Sequence, residues 1–365
     1  MNLLWTLWGA VVECCPLIGC WRPSRDVGST LVDFATLALT WCYFPAMSSR
    51  LPDYVDTAFD DDELMQALMA LVSGNLVPAL GFLAATQEQP YRRELAVDVL
   101  GAAGTVVLPQ LLDAVQEQPD DVNRLLLLGS AQCKAGWQSR GAAYAKYTSQ
   151  EQFAGLRSYT QQARTTLRRA AALDQDDVAP WAALMQVAIG APTHRSEAAE
   201  VYEEVVKRIP DLVNATLRRM QAATAKWYGS NEEMFAFARA KSQNLPDGHP
   251  LLALIPSAHI EKYLDVLRRS NMVARIRQAV FSSYLKKQRA EVDAASDRLL
   301  AGADDHPYSL FAHQIFAAYY YDVGAKDRLA QHIARSGDRA TPWPWGYFGD
   351  HNQRFAQARE RATED

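Results

Sequence analysis

Cysteine is nearly missing from the body of this 365-residue chain. Cys14, Cys15, Cys20 and Cys42 fall in the first 46 residues, and of the five only Cys133 lies beyond. One thiol gives the body no disulfide framework, which fits a reducing cytoplasm. An excess of positive charge is missing too: 37 Lys and Arg stand against 42 Asp and Glu, a net charge of -5. That balance argues against a nucleic-acid surface built on phosphate contacts, so Arg268-Arg269 and Lys286-Lys287 read as solvated helix faces. With 19 glycines among residues that are 49% hydrophobic, the composition is that of an ordered chain. In the first 47 residues neither Met1 to Val12 nor Phe34 to Met47 reaches the roughly 18 to 20 apolar residues that span a bilayer core.

Signatures of chemistry are absent as well. Gly101-Ala102-Ala103-Gly104 lacks the phosphate-loop Lys and the dinucleotide spacing, and there is no Gly-x-Ser-x-Gly elbow. The body has no His-Glu-x-x-His and no cysteine pair at zinc spacing. The acidic run Asp60-Asp61-Asp62-Glu63 lacks the spacing and glycine of a calcium loop, and reads as the capped start of a helix. Seven histidines are scattered. His259 and Glu261 are two apart and share no helix face, whereas His306 with His313, or His313 with His332, could meet across a hairpin. No metal or cofactor is expected, and no catalytic residue.

What is present is helical periodicity cut into hairpins. Trp181, Leu184, Met185 and Ala188 lie on one helix face, and Ala198, Tyr202 and Val205 on a returning one that Pro210 ends. Leu217, Met220, Thr224, Met234, Ala238 and Pro246 repeat that interval. These residues resemble the tetratricopeptide repeat, W-x2-L-G-x2-Y then A-x3-F-x2-A and Pro. Here Met185 stands for the family Gly, and the turn Gly190 to Thr193 holds one extra residue. Upstream, Leu125, Leu128, Gly129 and Gly136, then Ala163, Leu167 and Ala170, match a further unit with an insertion around Gly141 to Gln162. The insertion is expected to lengthen the second helix or to protrude. The resemblance covers 122 to 246 and implies an all-α, tetratricopeptide-like α-solenoid of antiparallel helical hairpins.

Further hairpins are expected on either side. Leu64 to Val72 and Leu76 to Ala85 form one, and Arg93 to Ala103 with Val107 to Val115 another, bounded by the recurring Gln-Glu-Gln-Pro at 87 and 116. After Pro246 come helices over 251–269, 272–286 and 290–300, and a hairpin built on Leu310 to Tyr320 and Leu329 to Arg335. The aromatic run Trp343-Pro344-Trp345-Gly346-Tyr347-Phe348 should fold back as a cap on the last repeat, followed by a short helix over 352–361. Lys226-Trp227-Tyr228-Gly229-Ser230 leading to Met234-Phe235-Ala236-Phe237-Ala238-Arg239 is similar to a segment of uncharacterised helical-repeat proteins of actinomycetes, a resemblance that carries no activity.

Residues 1–46 differ from the rest. Leu17-Ile18-Gly19-Cys20 resembles a lipobox, but no Lys or Arg precedes the apolar run and Glu13 interrupts it. The reading adopted is a poorly ordered extension, with 47–365 as a single α-helical repeat domain. The expected function is a non-catalytic module in the cytoplasm, binding a protein or peptide in the concave groove of its first helices. Asn123, Gln132, Gln186, Asn214, Arg218 and Gln221 are the groove candidates, with Trp227 and Tyr228 as an aromatic anchor. Asn214 and Arg218, four apart, could clamp a peptide carboxylate or backbone. A lipid-anchored bacterial scaffold, or an enzyme whose site is invisible in sequence, are the alternatives.

Overall fold

The computed structural model describes residues 57–141, 147–190, 195–227, 229–269 and 274–364. Among these the chain is all-α, with no strand. The extension 1–46 with Cys20, the expected start at Met47, and Tyr228 lie outside the described residues.

Helix starts follow local chemistry. Asp61 begins α1 (Asp62–Val72) by accepting the Leu64 N–H at 3.0 Å, and Pro78 stands in the first turn of α2 (Val77–Ala85). Pro90 opens α3 (Pro90–Gly104), which passes through a 3-10 turn at Thr105–Val107 into α4 (Leu108–Glu117). The hairpin expected here is therefore a bent helix. The three residues between its arms stay helical, so the chain turns without reversing, and both arms pack on α5 (Val122–Arg140). Pro90 to Glu117 is long and apolar enough to cross a membrane by length and composition, and it is mostly buried within the protein.

Asp121 caps α5, and Ser149 with Gln152 forms a capping box on α6 (Gln150–Leu173). The insertion thus lengthens α6, which runs along α5. The two helices approach closely at Gly129, where a Cβ would lie 2.6 Å from Leu167. Next come α7 (Ala179–Ile189) with α8 (Arg195–Arg208), then α9 (Val213–Ala222) with, beyond a 3-10 turn at Ala225–Trp227, α10 (Asn231–Gln243), capped by Ser230. The remainder is α11 (Leu254–Arg269), α12 (Ala274–Lys287), α13 (Arg289–Ala301), α14 (Ser309–Val323), α15 (Lys326–Ile333) and α16 (His351–Thr363).

α3 is the hub: it packs on α1, α5 and α7 and reaches α9. Arg93, 1% exposed, donates to Asp177 at 2.7 Å, to Asn123 Oδ1 at 2.8 Å and to the Leu83 carbonyl, which joins α2, α3, α5 and the start of α7. Glu94 caps α9 from a distance of 120 residues. The Leu212 side chain carries no acceptor, and the Glu94 carboxylate accepts the N–H groups of Asn214 at 3.0 Å and Ala215 at 2.7 Å. The C-terminal part returns to the beginning: Phe59 stacks on Phe311 at 5.1 Å, and Tyr91 packs on His306 at 4.5 Å.

The C-terminal aromatic run divides its labour. Trp345 is buried against Phe355 and donates its Nε1–H to Gln314 Oε1 at 2.8 Å. The Gln314 amide nitrogen donates to the carbonyls of Ser336 and Arg339, and its oxygen also accepts from Thr341, so this buried side chain is fully satisfied. Trp343 and Tyr347 instead turn to the cavity that borders α9.

Candidate functional site

A cavity of about 250 Å³ lies between α3, α5, α7, α9 and the returning C-terminal residues. Its wall is mostly apolar. Leu95, Val99, Ala102 and Ala103 come from α3, and Trp137 from α5 stands T-shaped to Trp227 at 5.8 Å. Phe59, Phe311, Trp343 and Tyr347 close it on the C-terminal side.

One face of α9 supplies most of the polar wall. Asn214, Leu217, Arg218 and Gln221 fall at helical spacing and all line the cavity, joined by the buried Met220, while Val213, Ala215 and Thr216 are buried in the core. Leu217, aligned to a core position by the repeat template, is therefore a wall residue. With Gln186 and Trp227, five of the eight sequence candidates meet here. Asn123 and Gln132 do not. Asn123 is consumed by Arg93, and Gln132, buried between α5 and α6, accepts a hydrogen bond from Thr166 at 2.9 Å. Internal packing claimed both, because they share helix faces with the Arg93 network and with the α5–α6 seam.

At the polar end sits Asp98, a residue that the sequence reading missed. Its Oδ1 accepts from Lys134 Nζ at 2.5 Å and from the Arg218 guanidinium. The expected Arg218 clamp on a ligand carboxylate is thereby pre-empted, since Arg218 also donates to Gln186 Oε1 at 3.2 Å and the Ala182 carbonyl at 3.3 Å. Burial pushes the Asp98 pKa up, but the two cations outweigh it and hold the carboxylate well below its usual range. Lys134 is 3% exposed, whereas the Asp98 side chain keeps 30% of its surface accessible where it lines the cavity. No hydrogen bond reaches Asp98 Oδ2 from the described residues.

Tyr308 and Trp137 also line the cavity, but their polar atoms, the hydroxyl and Nε1, are fully buried and do not open onto it. Burial raises the Tyr308 pKa well above its ordinary value, and the charges of Glu94 and Asp98 add to this. Behind the wall, burial pushes Glu94 up to about 7 against its two backbone N–H bonds. Glu261 on α11 gathers Gln221, Lys226 and Tyr347 at 2.6, 2.8 and 2.9 Å, so the Lys of the Lys-Trp motif anchors the wall beside Trp227. The aromatic residues of that motif diverge: Phe235 packs on His259 and Phe237 on Tyr202.

The histidines lie apart from this cavity. His259 points to Tyr284 at 2.9 Å and Glu291 at 3.2 Å, leaving Glu261 on another face, as their spacing implied. His313 and His332 do meet across a hairpin, with Nδ1 atoms 2.8 Å apart; His332 continues to Ser296 and His313 to Asp304. Among the described residues no group of three or more His, Cys, Asp or Glu is arranged to hold a metal ion.

Asp98 and Lys134 had a signal in the sequence: each is a lone charge inside an otherwise apolar helix stretch, Leu95 to Gly104 and Leu125 to Trp137. A scan of the chain against protein-family models gives no match, and a search of curated proteins gives none either.

Proposed function

We propose that the chain is a tetratricopeptide-like α-solenoid serving as a non-catalytic binding module, and that a group borne by its protein or peptide partner enters the cavity beside α9. The observation that carries this reading is the convergence of Gln186, Asn214, Arg218, Gln221 and Trp227 on one apolar cavity with an ion-paired carboxylate at its end. The solenoid reading is supported by the succession α3, α5, α7, α9, each packed on the next, with small residues such as Gly101 and Gly129 where helices approach. The concave side is narrow because α3 reaches α9 and the C-terminal aromatics lie across it, so recognition is by insertion of a group and not by laying a strand along an open groove.

An enzyme would rest on Glu94, a buried acid with a raised pKa near a cavity. Both of its oxygens are committed to the start of α9, and Asp98, held anionic, is a poor proton acceptor, so binding is the better account. Affinity capture with the tagged full chain and with Leu217→Trp, which fills the cavity, tests it. A partner recovered with the first and lost with the second, at unchanged circular dichroism, supports the proposal. Equal recovery with both, or no specific partner, overturns it.

A further inference from the structure

The cavity borders the point where the described chain begins, and what fills it follows from that place; the consequence for a partner rests on the binding function proposed above. Thr57, the first described residue, lines the cavity, as does Phe59. Phe59 and Asp60 take left-handed backbone, φ +54° and +60°, a conformation that bulky residues avoid. Packing holds them in it. The Phe59 ring stacks on Phe311 at 5.1 Å and meets Tyr308 edge-on at 5.7 Å, and the Ala58 carbonyl accepts the Asp61 N–H at 3.1 Å. The chain therefore enters α1 from the cavity wall, through a turn that these contacts fix.

Leu51-Pro52-Asp53-Tyr54-Val55-Asp56 stands immediately before this point. Even a fully extended chain keeps Val55 within about 7 Å and Tyr54 within about 11 Å of Thr57, so both can reach the cavity. Size fits: an apolar cavity of about 150 Å³ takes up benzene, and one of about 250 Å³ has room for an aromatic ring with an aliphatic neighbour. Charge fits as well. The charged residues lining the cavity are Asp98, Lys134 and Arg218, one negative against two positive, and residues 51–56 carry two carboxylates and no base. A tether this short supplies an effective concentration on the order of millimolar, so the segment holds the cavity even where a free peptide of the same sequence binds weakly. A second copy of the chain would bring the same residues without that advantage.

We infer that the cavity is filled by the chain's own Tyr54 and Val55, with the acidic side chains of residues 51–56 at its positive end, so that a partner gains entry only by displacing this segment.

Two experiments on the full chain test this. In the first, Tyr54→p-benzoylphenylalanine is irradiated and the product digested for mass spectrometry. Cross-links in the monomer-sized product should fall on Leu95, Val99, Trp137 or Leu217, and Leu217→Trp in the same chain should cut their yield at least fivefold. In the second, naphthalene-2-carboxamide is titrated calorimetrically into wild type and into the triple variant Leu51→Ser, Tyr54→Ser, Val55→Ser. At unchanged circular dichroism the variant should bind at least tenfold more tightly, the factor expected when the segment leaves the wild-type cavity open about a tenth of the time. No cross-link to the wall, cross-links confined to dimer-sized products, which would mean a second copy, or equal affinity of wild type and variant overturns the inference. The binding reading fails separately. Wall cross-links with partner capture indifferent to Leu217→Trp would keep the occupant and remove the partner; capture lost in Leu217→Trp with Tyr54 cross-linked elsewhere would do the reverse.

Discussion

Replacing Arg93 by Met should unfold this protein more readily than any surface change, because the buried Arg93 side chain ties α3 to α2, α5 and the start of α7. Removing the guanidinium takes a donor from the Asp177 carboxylate, Asn123 Oδ1 and the Leu83 carbonyl. Asp177 retains only the N–H of Ala179, at 2.9 Å, and stays almost fully buried. Breaking a buried pair from one side costs about 3–5 kcal/mol, since the surviving charge is stranded; Asn123 Oδ1 loses its donor as well, while the Leu83 carbonyl keeps the Thr86 hydroxyl at 3.3 Å. The double variant Arg93→Met with Asp177→Asn removes the stranded charge and keeps an acceptor for Ala179, and it should recover about 2 kcal/mol of the loss. Urea titrations followed by far-UV circular dichroism measure both. A single-variant loss under about 1.5 kcal/mol, or a double variant no more stable than the single, would refute the view that this ion pair holds the hub of the fold.

Stability should also fall steeply in mild acid. Burial lowers His259 and His306 to about 4 from an ordinary 6.5, and lowers His249, His313, His332 and His351 as well. Between those values the unfolded chain binds the extra protons, so the stabilisation present above pH 6.5 is lost as the pH falls toward 4, by about 3 kcal/mol for each of His259 and His306. Glu94, raised to about 7, acts in the opposite sense between pH 4.5 and 7, so Glu94→Gln should steepen the acid decline of the urea midpoint. A midpoint flat from about pH 7 to 4.5 would contradict this. Gly129→Ala would put a Cβ 2.6 Å from Leu167 at the α5–α6 crossing and should cost about 1–3 kcal/mol, with Leu167→Ala in the same chain relieving the clash in a double-mutant cycle. Gln314→Leu leaves five hydrogen bonds unmade around a buried site and should detach the C-terminal segment, seen as new proteolytic cleavage after residue 336 while the helix content of the remainder persists.

Helix positions were legible because periodicity and caps are local. The 3.6-residue spacing of Leu184, Met185 and Ala188, the caps at Asp61 and Ser230, and the stop at Gly324, which takes φ +77°, depend on neighbours a few residues away. The face of α9 that lines the cavity was legible for the same reason, since Asn214, Arg218 and Gln221 share it by spacing alone. The mistaken hairpin at residue 105 shows the limit: whether a chain bends or reverses there depends on what α5 offers both arms, not on Thr105 itself. Asn123 and Gln132 looked like groove residues because nothing near them in sequence announces Arg93 or Thr166 as partners.

By itself, then, the sequence determined the all-helical character, the boundaries of most helices and one polar stripe. Only the tertiary structure decided what that stripe faces. The pairing of Asp98 with Arg218 joins residues 120 apart, as do Glu94 with Asn214 and Tyr91 with Asp211, and Phe311 reaches back to Phe59. Contacts of that separation follow from how successive helix pairs rotate against one another. That rotation is set by the summed shapes of many interfaces and by no single stretch of residues.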